Sequence, residues 1–261
     1  WADWVKDSQA HRKGWAHQWT TVKQHWRPLV AQNSFSGRPL DLLDEEKERL
    51  QDIWDCQTER VGWFEVPDDA WEELPTITVA EFLKAAGTFP CRSAQSYDGF
   101  HPRHFGLLRE DQVPVVIRLY QLMERTGTTP TTVQSIFGKL IPKHKPGQTR
   151  ISMRSIGLLP SLYRHWQRVR QRVAREWEAA NRCPQLGHQA GRSIMETVFV
   201  QSLRCESAQT PDAAGKRGHS AAFLWDLSNY YEFVNHEVLY ERARHRRFNL
   251  AIVCIALNQY R

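Results

Sequence analysis

Apolar positions recur at helical spacing in several stretches of this chain and at strand spacing in a few short ones. Trp15, Trp19, Val22 and Trp26 fall at i, i+4, i+7 and i+11, which places a stripe of indoles on one helix face, read as core packing rather than base stacking. A second helix is expected over 44–58, with Leu43, Leu50, Ile53 and Trp54 facing inward and acids crowded into its first turn. The Pro- and acid-rich stretch 61–76 reads as a linker. Thr78 to Glu81 forms a capping box that opens a short helix closed by Gly87. An amphipathic helix over 113–125 is stopped by Thr126-Gly127, and 136–143 is a strand followed by a basic turn. Over 164–178 Trp166, Val169, Val173 and Trp177 share one helix side, with Arg164, Arg168, Arg172 and Arg175 largely on the others. A polar connector at 207–220 leads into the apolar run 221–225, which ends at Asp226.

These elements predict a mixed fold of helices and strands: a helical N-terminal extension with its linker over 1–75, then an α/β (α+β) domain over 76–261. Composition narrows the class. With 41% hydrophobic and 25% charged residues, the 261-residue chain can bury a core, which excludes disordered and low-complexity proteins. No stretch approaches the ~18 apolar residues of a bilayer span, so no membrane partner is expected. Trp1, with no Met and no leader pattern, reads as the start of an internal piece of a longer polypeptide. The net charge of +6 is uneven, at −6 over residues 1–90 and +12 over 91–261. An Arg-favoured excess of that size suits phosphate pairing, and nucleic acid is the usual partner. Five widely spaced cysteines without a CxxC indicate neither a disulfide framework nor a zinc finger, consistent with a reducing intracellular compartment, nuclear or cytoplasmic.

Asp226 follows a short apolar strand candidate. A carboxylate fixed at a strand end is how metal-dependent phosphoryl-transfer enzymes hold divalent cations, although strand-terminal aspartates are more often caps or turn formers. Asp226-Leu227-Ser228, with Tyr231, Glu232 and Val234-Asn235-His236, resembles motif A of the reverse transcriptases of non-LTR (LINE-type) retrotransposons. Three further blocks agree in order. Ser96-Tyr97-Asp98-Gly99-Phe100-His101-Pro102 is similar to the family's Gly-Pro-Asp-Gly block at the start of the fingers. Leu140 to Lys143 with Lys145-Pro146-Gly147, then Arg154-Ser155-Ile156 and Leu158-Leu159, is similar to its Ile-Pro-Lys-Pro-Gly … Arg-Pro-Ile-Ser-Leu-Leu block. Gln185 to Ser193 is similar to its Gln-Phe-Gly-Phe-Arg-x-Gly-Arg-Ser block.

The resemblance implies a fingers-and-palm fragment of a right-handed polymerase that copies RNA into DNA. Asp226 would be the first catalytic aspartate and a ligand of both Mg2+ ions. Lys143 and Arg154 would grip the incoming dNTP, and Tyr231 would close the space beneath its sugar 2′ position. Lys145 would contact RNA template or DNA primer, and Gln185, Gly191 and Arg192 would help hold the template strand or the palm edge. From its own residues, the arginine-rich helix, with Arg168 and Arg172, either tracks a template backbone or solubilises one face. Tyr230, Glu232 and Ser155 depart from the family's Ala, Asp and Pro. Neither a Gly-rich template block nor a Tyr/Phe-x-Asp-Asp turn occurs before Arg261, so this chain by itself is expected to be inactive in polymerisation. The alternative reading is a non-catalytic RNA-binding protein, maturase-like or domesticated.

Overall fold

The structure is a computed structural model that describes residues 39–55, 62–143, 152–182, 194–211, 215–216, 218 and 234–260. It contains α1 (Pro39–Asp55), α2 (Val79–Gly87), α3 (Val113–Thr126), β1 (Phe137–Lys143), β2 (Ser152–Leu158), α4 (Ser161–Ala180), α5 (Ile194–Gln209), α6 (His236–His245) and α7 (Leu250–Gln259). β1 and β2 form a two-stranded antiparallel sheet, so the described architecture is α+β with helices dominant. The Trp15–Trp26 stripe and the 221–225 run lie outside the described residues.

The chain divides into two units, a small one of Trp1–Arg49 with Pro142–Met153 and a large one of Leu50–Ile141 with Arg154–Arg261. In the small unit the described part is mainly the first three turns of α1. That helix begins at Pro39, five residues earlier than the pattern predicts, because proline's fixed φ suits a first helical position. Leu43 is 52% exposed, contrary to the inward face expected for it, whereas Leu50 is buried and Ile53 half-buried. Periodicity identifies the apolar side of a helix but does not supply a surface to cover it.

In the large unit α2, α3, α4 and α7 enclose the main core of Phe82, Val113, Ile117, Tyr120, Met123, Tyr163, Trp166 and Ile255. The expected capping box opens α2: Glu81 N–H donates to Thr78 Oγ1, and Thr78 N–H donates back to Glu81 Oε2. α3 buries Val113, Ile117 and Tyr120 at i, i+4 and i+7, and ends at Gly127 with φ +66°. Glycine is favoured there because the backbone is left-handed, and a Cβ would also press on Cys254 Cβ at 3.2 Å. α7 is apolar around its whole circumference and is accordingly buried. Its last two residues are buried amides with their hydrogen bonds filled. Asn258 clamps the Phe64 backbone N–H and C=O and also donates to Gly127 O, while Gln259 accepts from Thr129 Oγ1 and donates to the Val133 and Gln134 carbonyls.

The segment read as a linker is stitched to this C-terminal pair of helices. Phe64 packs with Val253, Cys254 and Leu257 in a second core, Tyr240 Oη donates to Glu65 O, and Asn249 Nδ2 donates to Glu72 O. Irregular backbone is stable here because side-chain amides and hydroxyls satisfy it.

Candidate nucleic-acid interface

α4 organises the described part of the candidate site. Its N-terminus follows Pro160, which has no side chain able to cap the helix, and the cap arrives from elsewhere in the sequence. Asp98 Oδ2 accepts the Ser161 N–H at 2.6 Å, while its other oxygen accepts the Phe100 N–H at 3.2 Å in a turn whose Gly99 has φ +64°. The carboxylate therefore fills an orphan donor and faces the positive end of the helix dipole. Ser96 Oγ donates to Leu158 O at 2.6 Å, tying the same loop to the last residue of β2. Two blocks that the sequence presents far apart, 96–102 and 154–159, thus meet at the junction of β2 and α4.

One side of α4 is packed. Glu124 and Arg170, 5% and 6% exposed, form a two-point ion pair with both N···O distances 2.6 Å, and Trp166 Nε1 donates to the same carboxylate at 2.8 Å. A third donor of Arg170 reaches Pro75 O. His165 is fully buried between Tyr120, Phe82 and Phe105. Its Nε2–H donates to Phe82 O at 3.2 Å, leaving Nδ1 to accept from Tyr120 Oη at 2.8 Å. Burial pulls the imidazole pKa down to about 4, so the ring is neutral.

A cleft of about 460 Å³ opens beside α4, walled by α4 residues that include Trp166 and Arg170 of the packed cluster as well as Arg164 and Arg168, by the Phe89–Ser93 segment after α2, and by Ile252 and Ala256 of α7. The guanidinium carbon of Arg168 sits 4.7 Å from the Phe89 ring centroid and that of Arg164 sits 5.8 Å away. Arg164 also donates to Ala94 O. Arg168 has no hydrogen-bond acceptor or ion-pair partner among the described residues. The Tyr163 hydroxyl, buried in the cleft lining, has no hydrogen bond of normal geometry among the described residues, with the Gln167 side chain and Tyr260 as its polar neighbours.

Of the residues singled out in the sequence, Arg168 and Arg172 lie together on α4. Arg172 is exposed, with Glu81 at 3.7 Å and Glu176 at 3.8 Å, so part of its charge is answered within the protein. Arg154 is exposed on β2, and Lys143 ends β1 with its side chain outside the described residues. Asp226, Tyr231, Lys145, Gln185, Gly191 and Arg192 all lie outside them as well. Among the described residues no cluster of three or more His, Cys, Asp or Glu is arranged to hold a metal ion, and no helix is long and apolar enough to cross a membrane. Cys91, Cys205 and Cys254 take part in no disulfide among the described residues.

Sequence reasoning missed Phe89, Gln167 and Gln171 as cleft residues, and Arg170 as a buried one. A Pro-Cys-Arg turn directly after an aromatic was the available signal for the first. No family model matches the sequence, and no curated protein matches it significantly.

Proposed function

We propose that this chain is the fingers and first part of the palm of an RNA-directed DNA polymerase of the non-LTR retrotransposon type. The observation that carries the reading is the ordered set of four motif-like blocks. Two of them, 96–102 and 154–159, are hydrogen-bonded at one strand-to-helix junction, as parts of one working unit would be.

In this reading Asp226 holds Mg2+, which would activate the primer 3′-hydroxyl and steady the triphosphate during in-line transfer. A hard carboxylate oxygen is the right donor class for that ion, and one carboxylate fills only part of its shell, so further ligands must join it. Lys143 and Arg154 neutralise triphosphate charge, Tyr231 selects against a ribose 2′-hydroxyl, and Lys145, Gln185, Gly191 and Arg192 contact template or primer.

The test is primer extension on an RNA template by the open reading frame that carries this chain, with Asp226 intact and as Asp226→Asn. Extension by the first and not the second is expected, and it should require Mg2+. Equal extension by both removes the catalytic assignment. No extension by either, with RNA binding retained, makes the protein a non-catalytic binder.

A further inference from the structure

The cleft beside α4 has a chemical character that a general basic surface lacks. Among its cations Arg168 has no hydrogen-bond acceptor or ion-pair partner among the described residues, and its guanidinium carbon lies 4.7 Å from the Phe89 ring centroid, so the ring positions the group while its fork of donors remains available. The neighbouring wall is apolar, from Pro90, Ile252 and Ala256. Two side-chain amides, Gln167 and Gln171, line the same space, Gln167 beside the Tyr163 hydroxyl. The buried Tyr163 hydroxyl adds an unsatisfied polar atom to the lining, and an unmatched buried group of this kind favours a ligand or water that completes it. Arg170, the buried cation of the helix, also lines the cleft but directs its bonds to Glu124 and Pro75.

An oriented cation, an apolar wall and amides able to read a polar edge match a base joined to a phosphate. Amides pair with base edges, and unstacked bases of single strands settle on apolar or guanidinium surfaces. The volume of about 460 Å³ lies within the roughly 300–1,000 Å³ typical of small-ligand sites. We propose that this cleft receives one unstacked nucleotide of a single-stranded nucleic acid, its phosphate on Arg168 and its base between Pro90, Ile252 and the two amides. This deepens the nucleic-acid reading above and rests on it.

The test measures anisotropy of a labelled oligouridylate RNA against the full chain, with Arg168→Ala, Arg168→Lys and the double variant Gln167→Ala/Gln171→Ala. Arg118→Ala, which removes one exposed charge from α3, is the control. Arg168→Ala should lose about tenfold in affinity or more and Arg118→Ala less than about twofold, with Arg168→Lys in between because it keeps the charge but not the fork. The amide double variant should lose discrimination between oligouridylate and oligoadenylate while keeping most of the affinity. Far-ultraviolet circular dichroism checks that each variant is folded. A free nucleoside monophosphate is the second probe. Displacement of the RNA by it, lost in Arg168→Ala, supports the pocket and shows that the isolated unit suffices. Displacement only by oligonucleotides supports the pocket as a station on a strand. Equal losses in Arg168→Ala and Arg118→Ala overturn the cleft assignment while leaving RNA binding in place. A wild-type chain that binds no RNA overturns the functional reading itself.

Discussion

The two sides of α4 handle the same residue type in opposite ways. Arg170 is 6% exposed and its guanidinium satisfies one carboxylate and one carbonyl, whereas Arg168, two residues earlier, projects over Phe89 with no acceptor among the described residues. Counting arginines on a helix therefore says little about binding, and the inventory of their partners says much more. An arginine whose donors are filled internally holds the fold, and one left oriented and unfilled is available to an outside anion.

The contrast breaks most visibly at Glu124. Replacing it by Ala strands the Arg170 guanidinium in the core and also leaves the Trp166 indole N–H unsatisfied, which should cost about 3–5 kcal/mol in urea unfolding. Glu124→Leu with Arg170→Met should recover most of that loss, since an apolar pair of similar volume removes the desolvation cost together with the attraction. A Glu124→Ala protein as stable as wild type would show that the ion pair does not hold α3 to α4.

A second probe of the packed side is pH. The His165 pKa is pulled from 6.5 in the unfolded chain to about 4 by burial, so the unfolded state binds more protons between those values. Stability is thus fully present above the unfolded pKa and falls with decreasing pH until the folded pKa is passed. From about pH 7 to about pH 5 the loss from this one group should be about 2 kcal/mol. His165→Gln, which cannot titrate, should be less stable at neutral pH yet show a flatter slope over that window. An unchanged slope would transfer the effect to other groups.

Where the packed and open sides meet, at the first turn of α4, the carboxylate of Asp98 serves as an external cap. Asp98→Ala should lower stability by about 1 kcal/mol, the usual value of an N-terminal cap, and loosen the tie between the 96–102 loop and β2. Asp98→Asn should retain most of it, because an amide oxygen still accepts the Ser161 N–H.

Much of this framework was legible in the sequence for local reasons. The Thr78–Glu81 box, the Gly127 stop and the strand at 137–143 are decided by residues within one turn or one pleat of each other, and all three stand in the structure. What escaped reading is set by distance along the chain. α7 is apolar on every side, so it shows no period to detect, and it is recognised as core only once Phe64 and Gly127 close on it. Arg170 looked like its neighbours because its partner, Glu124, sits 46 residues away. The cleft has the same character, since it needs Phe89 and Ile252 brought beside α4, and no short window contains them. The motif-like blocks were legible as a pattern, yet of the residues they nominate only Arg154 has a described side chain.

The smallest expected change in stability sharpens the comparison most. Arg168→Ala removes an arginine from the same helix as Arg170, but it breaks no hydrogen bond or ion pair among the described residues and gives up only a part-exposed stack on Phe89. Such a stack contributes about 0.5–1 kcal/mol at an exposed site, and Arg164 still covers part of the same ring, so unfolding should shift by about 0.5 kcal/mol or less. Chemical denaturation of Arg168→Ala beside Glu124→Ala makes the measurement. If Arg168→Ala costs as much as Glu124→Ala, its guanidinium is part of the fold's support, and the open side of α4 is no different in kind from the packed one.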